Sequence, residues 1–147
     1  MANMIQGHPL VPGEAQGEAL VSSEPLSFWG GYDQHSGEII DRRHELSGQI
    51  AAARVLAIPS SRGSSTTTAV LLEAARNGTA PAAILTSGAD AFFALASIVA
   101  DELYARSLPV VALQPRDFAS LRSGQWINVQ TNGSLIVHTS RPDQGQT

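Results

Sequence analysis

The stretch Arg54-Val55-Leu56-Ala57-Ile58-Pro59-Ser60-Ser61-Arg62-Gly63-Ser64-Ser65-Thr66-Thr67-Thr68 sets the fold class. Its first five residues form an apolar strand that stops at Pro59, and the chain then runs into hydroxyl side chains and a helical pattern over roughly Thr66–Asn77. Val70, Leu71, Ala74 and Ala75 share one face of that helix, and Gly78 and Pro81 end it. Ala82–Thr86 reads as a second buried strand, Asp90 as the cap of a helix reaching about Ala105, and Pro109–Leu113 as a third strand. Strand, helix, strand, helix, strand implies a partly parallel sheet with crossover helices.

Working outward, Pro115–Leu121 has room for one or two helical turns. Trp126–Gln130 and Ser134–His138 read as a hairpin around Thr131-Asn132-Gly133, since Asn-Gly is a strong turn signal. Towards the amino end, Glu18–Glu24 and Glu38–Asp41 read as short strands with a turn at Gln34–Gly37. Between them lies Pro25-Leu26-Ser27-Phe28-Trp29-Gly30-Gly31-Tyr32-Asp33, where aromatic residues beside a glycine pair indicate a loop packed against something. Residues 1–16 are expected as an irregular lead-in and residues 140–147 as a frayed tail. The expectation is one α/β domain over 1–147, with a mixed sheet, crossover helices and flanking β-hairpins.

Composition narrows the function classes. In 147 residues, 43% are hydrophobic and 15% charged, and the formal net charge is -4. That balance argues for a globular chain and against a binder of the nucleic-acid backbone, which needs a basic stripe. Cysteine is absent, so the chain has no thiol nucleophile and no thiolate for zinc or an iron–sulfur cluster. His8, His35, His44 and His138 show no ligand spacing, so no metal site is expected on this chain. The apolar runs around 91–100 and 108–113 are too short to span a bilayer, no signal peptide is visible, and a cytoplasmic location is expected.

The Ser61–Thr68 segment carries the chemistry. It leaves the carboxyl end of a strand and opens a helix, where open α/β sheets place ligands. Unpaired N–H groups and the helix dipole favour an anion there. Arg62 adds a planar cationic fork, Gly63 allows close backbone approach, and Ser64, Ser65 and Thr66 supply hydroxyls. Two readings stand side by side: ordinary helix capping, and an anion site with a hydroxyl poised beside it. A serine-hydrolase reading lacks both a Gly-x-Ser-x-Gly elbow and a histidine in a recognisable context. Phe28 reads as core and Trp29 as an interface anchor. Arg42, Arg43 and His44 read as a solvated basic turn.

Several blocks together resemble one family. Glu18-Ala19-Leu20-Val21, Glu24-Pro25-Leu26-Ser27-Phe28-Trp29-Gly30-Gly31, Gly37-Glu38-Ile39-Ile40-Asp41 and Arg62-Gly63-Ser64-Ser65 are similar to the small, swivelling subunit of the aconitase X family. Leu71-Leu72-Glu73-Ala74, Ala80-Pro81-Ala82-Ala83-Ile84 and Pro109-Val110-Val111 continue the resemblance, which runs from about Gly17 to Gly124. The aromatic block is its most specific part.

The resemblance implies a swivelling β/β/α domain of aconitase type and a hydro-lyase built from two chains. A large subunit would carry the iron or iron–sulfur centre, and this chain would hold no cofactor of its own. The Gly-Ser-Ser loop resembles that of aconitase, where the serine after the glycine is the catalytic base. Carried over, the base is Ser64, with Arg62, Gly63 and Ser65 as substrate contacts. The usual family loop has a glycine before the arginine, where this chain has Ser61. The family includes bacterial dehydratases of cis-3-hydroxy-L-proline and archaeal dehydratases of a mevalonate phosphate. Low lysine with abundant alanine, serine and glutamine is bacterial in character and puts hydroxyproline first. From a different class, a non-catalytic anion-binding module remains the alternative.

Overall fold

In the computed structural model, which describes residues 2–62 and 66–142, the strands are β1 (Ala2–Gln6), β2 (His8–Val11), β3 (Ala15–Val21), β4 (Val55–Ala57), β5 (Ala83–Ser87), β6 (Val110–Leu113), β7 (Trp126–Val129) and β8 (Ser134–His138). The helices are α1 (Thr66–Asn77), α2 (Ala91–Tyr104) and α3 (Pro115–Ala119). The strands make one mixed sheet in the order β1-β8-β7-β3-β4-β5-β6-β2. β3 to β6 are parallel neighbours, while β1, β2, β7 and β8 join antiparallel. β4 and β5 are apolar because they lie mid-sheet, covered on both faces.

The parallel strands advance in one direction across the sheet. Right-handed crossovers therefore put α1 and α2 on the same face, where they pack on each other. The β3–β4 connection, residues 22–54, crosses on that face too, without a helix. Its Leu26, Phe28, Tyr32, Ile39, Leu46 and Ala51 share one apolar core with Val70, Leu71, Ala74, Phe93 and Ala96. A second core on the opposite face holds Ile5, Phe118, Leu121, Ile127 and Leu135.

The amino-terminal strands correct two expectations. Residues 1–16, read as irregular, hold β1, β2 and the start of β3. The flanking layer contains one hairpin, β7–β8, because β1 and β2 pair with β8 and β6 rather than with each other. β1 and β2 are opposite edges of the sheet, yet only Gly7 separates them. One residue spans only a few ångström, so the sheet curls until its edges meet there. A Cβ on Gly7 would lie 2.4 Å from Val111 Cγ1 and 2.8 Å from Leu113 Cδ2. The join therefore needs glycine for close approach.

Glu38–Asp41 is not a strand but holds two isolated bridges, Tyr32 to Ile39 and Glu38 to Ile50. Its chain is occupied by local turn bonds, Asp33 N–H to Glu38 O and Ile39 N–H to Gln49 O. α1 falls on its expected span, and the remaining strands and helices lie within a few residues of theirs. Most of the tail, residues 143–147, lies outside the described residues. Among the described residues no helix is long and apolar enough to cross a membrane.

Candidate active site

The carboxyl edge of β4 is where the expected chemistry falls. β4 gives way to Pro59, and Ser60 O accepts from Leu26 N–H (3.4 Å) while Arg62 N–H donates to Leu26 O (3.0 Å). These bonds lay the Leu26 block alongside the start of the serine loop in a short parallel bridge. Leu26 is fully buried, so the bridge rests on the core. The Arg62 side chain is exposed. Gly63, Ser64 and Ser65 lie outside the described residues, and α1 begins at Thr66.

The other side of the loop is fixed by α2. Asp90 has extended backbone (φ -134, ψ 108) and caps the helix through Phe92 N–H and Phe93 N–H, as the sequence indicates. Its carboxylate also accepts from Ser61 N–H and Ser61 Oγ–H, both at 2.8 Å. The sequence reading assigned Asp90 only the cap. The missed signal was the serine at position 61, a hydroxyl donor where the resembling loops have glycine.

The aromatic block divides as expected for Phe28. Its ring is fully buried, stacked on Tyr32 at 4.8 Å and edge-on to Phe93 at 5.4 Å. Tyr32 Oη–H donates to Thr79 O (2.6 Å), and burial raises its hydroxyl well above the usual tyrosine range. Trp29, the next residue after Phe28, points outward with 70% of its surface exposed. The glycine pair makes this possible: Gly30 takes φ 77, and a Cβ on Gly31 would sit 2.1 Å from Ser27 O.

The basic turn is a correction in one member. Arg42 and Arg43 are exposed, but His44 is buried. Leu46 N–H donates to its Nδ1 (3.1 Å) and its Nε2 lies 3.3 Å from Glu24 O. Those backbone partners require Nε2 to carry the proton. Beside it, Glu45 Oε1 accepts from Ser22 Oγ–H and from Ser23 N–H (2.8 Å) at the carboxyl end of β3. These bonds, the Ser22 hydroxyl foremost, hold the Glu45 carboxyl below the usual carboxylate range. The carboxyl ends of β3, β4 and β5 also bound a cavity of about 360 Å³ lined by Val21, Ser22, Pro59, Ser87, Phe118 and Arg122. Among the described residues, no three His, Asp or Glu side chains gather in a way that could hold a metal ion.

The eight-stranded mixed sheet with its helices is the fold of the aconitase X swivel domain. Residues 4–138 match the family model described as the aconitase X swivel domain, and the chain belongs to that family. It is 47% identical over 141 residues to cis-3-hydroxy-L-proline dehydratase of Pseudomonas aeruginosa, covering 96% of this chain and 24% of that one. The chain therefore spans about a quarter of that relative's length. It is 35% identical to the phosphomevalonate dehydratase small subunit of Thermococcus onnurineus, covering 90% of this chain and 95% of that one. The crystal structure of Thermococcus kodakaraensis aconitase X, holo-form, superposes with a TM-score of 0.81 at 30% identity, over 92% of this chain and 98% of that one.

Proposed function

We propose that this chain is the small subunit of a hydro-lyase that dehydrates cis-3-hydroxy-L-proline to a pyrroline-2-carboxylate and acts only with a large aconitase-type subunit. The observation that carries the substrate is the 47% identity, across 96% of this chain, to an enzyme of that name. Two-chain assembly is supported by the small subunits that this chain matches nearly end to end. In this reading Ser64 is the base, and Arg62, Gly63 and Ser65 contact the substrate carboxylate. Ser64, as alkoxide, takes the proton from the carbon bearing the carboxylate. The C–H electron pair becomes the new double bond as the neighbouring C–O bond breaks, and the departing hydroxide leaves as water with the proton that Ser64 removed, which restores the alkoxide. Position 64 lies two residues before α1, and the first-turn N–H groups and dipole of a helix favour negative charge; with the Arg62 guanidinium they lower the cost of an alkoxide.

We assign the iron or iron–sulfur centre to the large subunit, because this chain has no cysteine. There it would supply Lewis acidity to the departing hydroxyl. Trp29 is assigned to the interface with that subunit, since a large, exposed aromatic on a fixed turn suits an anchor. A second reading, the small subunit of a phosphomevalonate dehydratase, is favoured by the 95% coverage of a relative of that name.

The test is reconstitution with a cysteine-containing large subunit and turnover of both substrates. Turnover of hydroxyproline alone is the expected result; turnover of the phosphorylated substrate alone selects the second reading. Ser64→Ala should lower kcat by about 100-fold or more with folding and association intact. Activity within a few-fold of wild type would remove Ser64 as base and favour the anion-binding module.

A further inference from the structure

Asp90 does more than a cap requires. One side-chain oxygen is enough to cap a helix, and Oδ1 does this by accepting from Phe92 N–H (3.0 Å) and Phe93 N–H (3.2 Å). Oδ2 is turned to the neighbouring loop, where it takes both Ser61 donors at 2.8 Å. The carboxylate is thus engaged by four donors at a position only 7% exposed. Ser61 is thereby tied to the first turn of α2, and the next residue, Arg62, is tied through its N–H to Leu26 O. The amino end of the serine loop is clamped between two core-anchored elements, immediately before residue 63.

We infer that Asp90, through Ser61, is a positioning residue for the reaction, fixing where the loop that carries Ser64 begins. This rests on the proposed role of Ser64 as base. Proton abstraction depends on the distance between base and substrate carbon, and a displacement of about 1 Å can cost on the order of 100-fold in rate. Two donors of Ser61 on one oxygen, both at 2.8 Å, fix the residue from two directions, which suits a tether that must not slip.

The experiment uses the reconstituted two-chain enzyme with cis-3-hydroxy-L-proline and compares Asp90→Asn, Ser61→Ala, the double variant and Ser64→Ala. Asparagine caps a helix as well as aspartate, but its amide NH2 would face the Ser61 N–H and cannot accept from it. Asp90→Asn is expected to lower kcat by about tenfold or more with the Tm of this chain held within a few degrees. Ser61→Ala should give a smaller loss in the same direction. The double variant should be no slower than Asp90→Asn, as for two residues of one unit. A purely structural role would lower Tm and leave kcat per folded complex unchanged. If Ser64→Ala is inactive while Asp90→Asn keeps kcat within about threefold, the positioning role fails and the base stands. If Ser64→Ala is active, both fail. If Asp90→Asn does not fold, Ser61→Ala decides: a kcat loss supports the tether and an unchanged kcat overturns it.

Discussion

Glu45 shows how much a single exposed carboxylate can be shaped by its neighbours. The Ser22 hydroxyl and the Ser23 N–H donate to one of its oxygens, and both bonds favour the ionised form. A folded value below the unfolded one means stability that is fully present above the ordinary carboxylate range and is lost as pH falls through the depressed value. Glu45→Gln should therefore lower Tm slightly at neutral pH, with the gap from wild type closing in acid. Melting curves from neutral to acid pH check this; a gap that stays constant would remove Glu45 as the source. The pair Ser22–Glu45 was invisible in the sequence, because the partners are separated by 23 positions and neither sits in a motif. Asp90 was half legible: its cap follows from local spacing, whereas its bond to Ser61, 29 positions away, exists only once β4 and β5 are side by side. His44 was misread for a similar reason. Its neighbours Arg42 and Arg43 indicate solvent, but the bonds that bury it come from Glu24 O and Leu46 N–H.

At the scale of elements, the units with strong local periodicity were the legible ones. α1 and β4 to β6 carry their apolar faces in consecutive sequence, and the Asn132-Gly133 turn sets the β7–β8 hairpin. The 22–54 crossover has no period because it is not a repeating structure; it is held by isolated bridges and by turns that need particular residues. Gly37 is one of them. It takes φ 80, and a Cβ there would lie 2.6 Å from Ala52 Cβ and 2.8 Å from Thr79 O. Left-handed backbone alone costs a residue with a Cβ about 1–2 kcal/mol, and the second contact is with backbone that cannot step aside. Gly37→Ala should cost about 2 kcal/mol or more, or roughly 4–8 °C in Tm for a chain of this size. Thermal unfolding by circular dichroism measures it, and a loss of under about 1 °C would mean that the crossover relaxes freely.

For the molecule as a whole, the closure of the sheet was beyond local reading. Ala2–Gln6 buries only Ile5, too little apolar pattern to announce a strand, and its place comes from pairing with β8 at the far end of the chain. The aromatic block was legible as specific and Phe28 as core, whereas the backbone at Gly30 and Gly31 that divides the buried Phe28 from the exposed Trp29 took shape only in the fold. That division yields a prediction about assembly. Phe28 fills the core between Tyr32 and Phe93, so Phe28→Ala should cost about 3–5 kcal/mol of stability. Trp29 contributes little to that core, being 70% exposed, and Trp29→Ala should leave the Tm of the isolated chain within about 2 °C. If Trp29 anchors the large subunit, truncation should weaken association by about 2 kcal/mol or more, a loss of roughly 30-fold in affinity. Titration of the labelled chain with the large subunit reads this directly. Unchanged affinity with unchanged Tm would take Trp29 out of the interface, whereas a parallel loss of Tm would mean that the exposed ring supports its own turn instead.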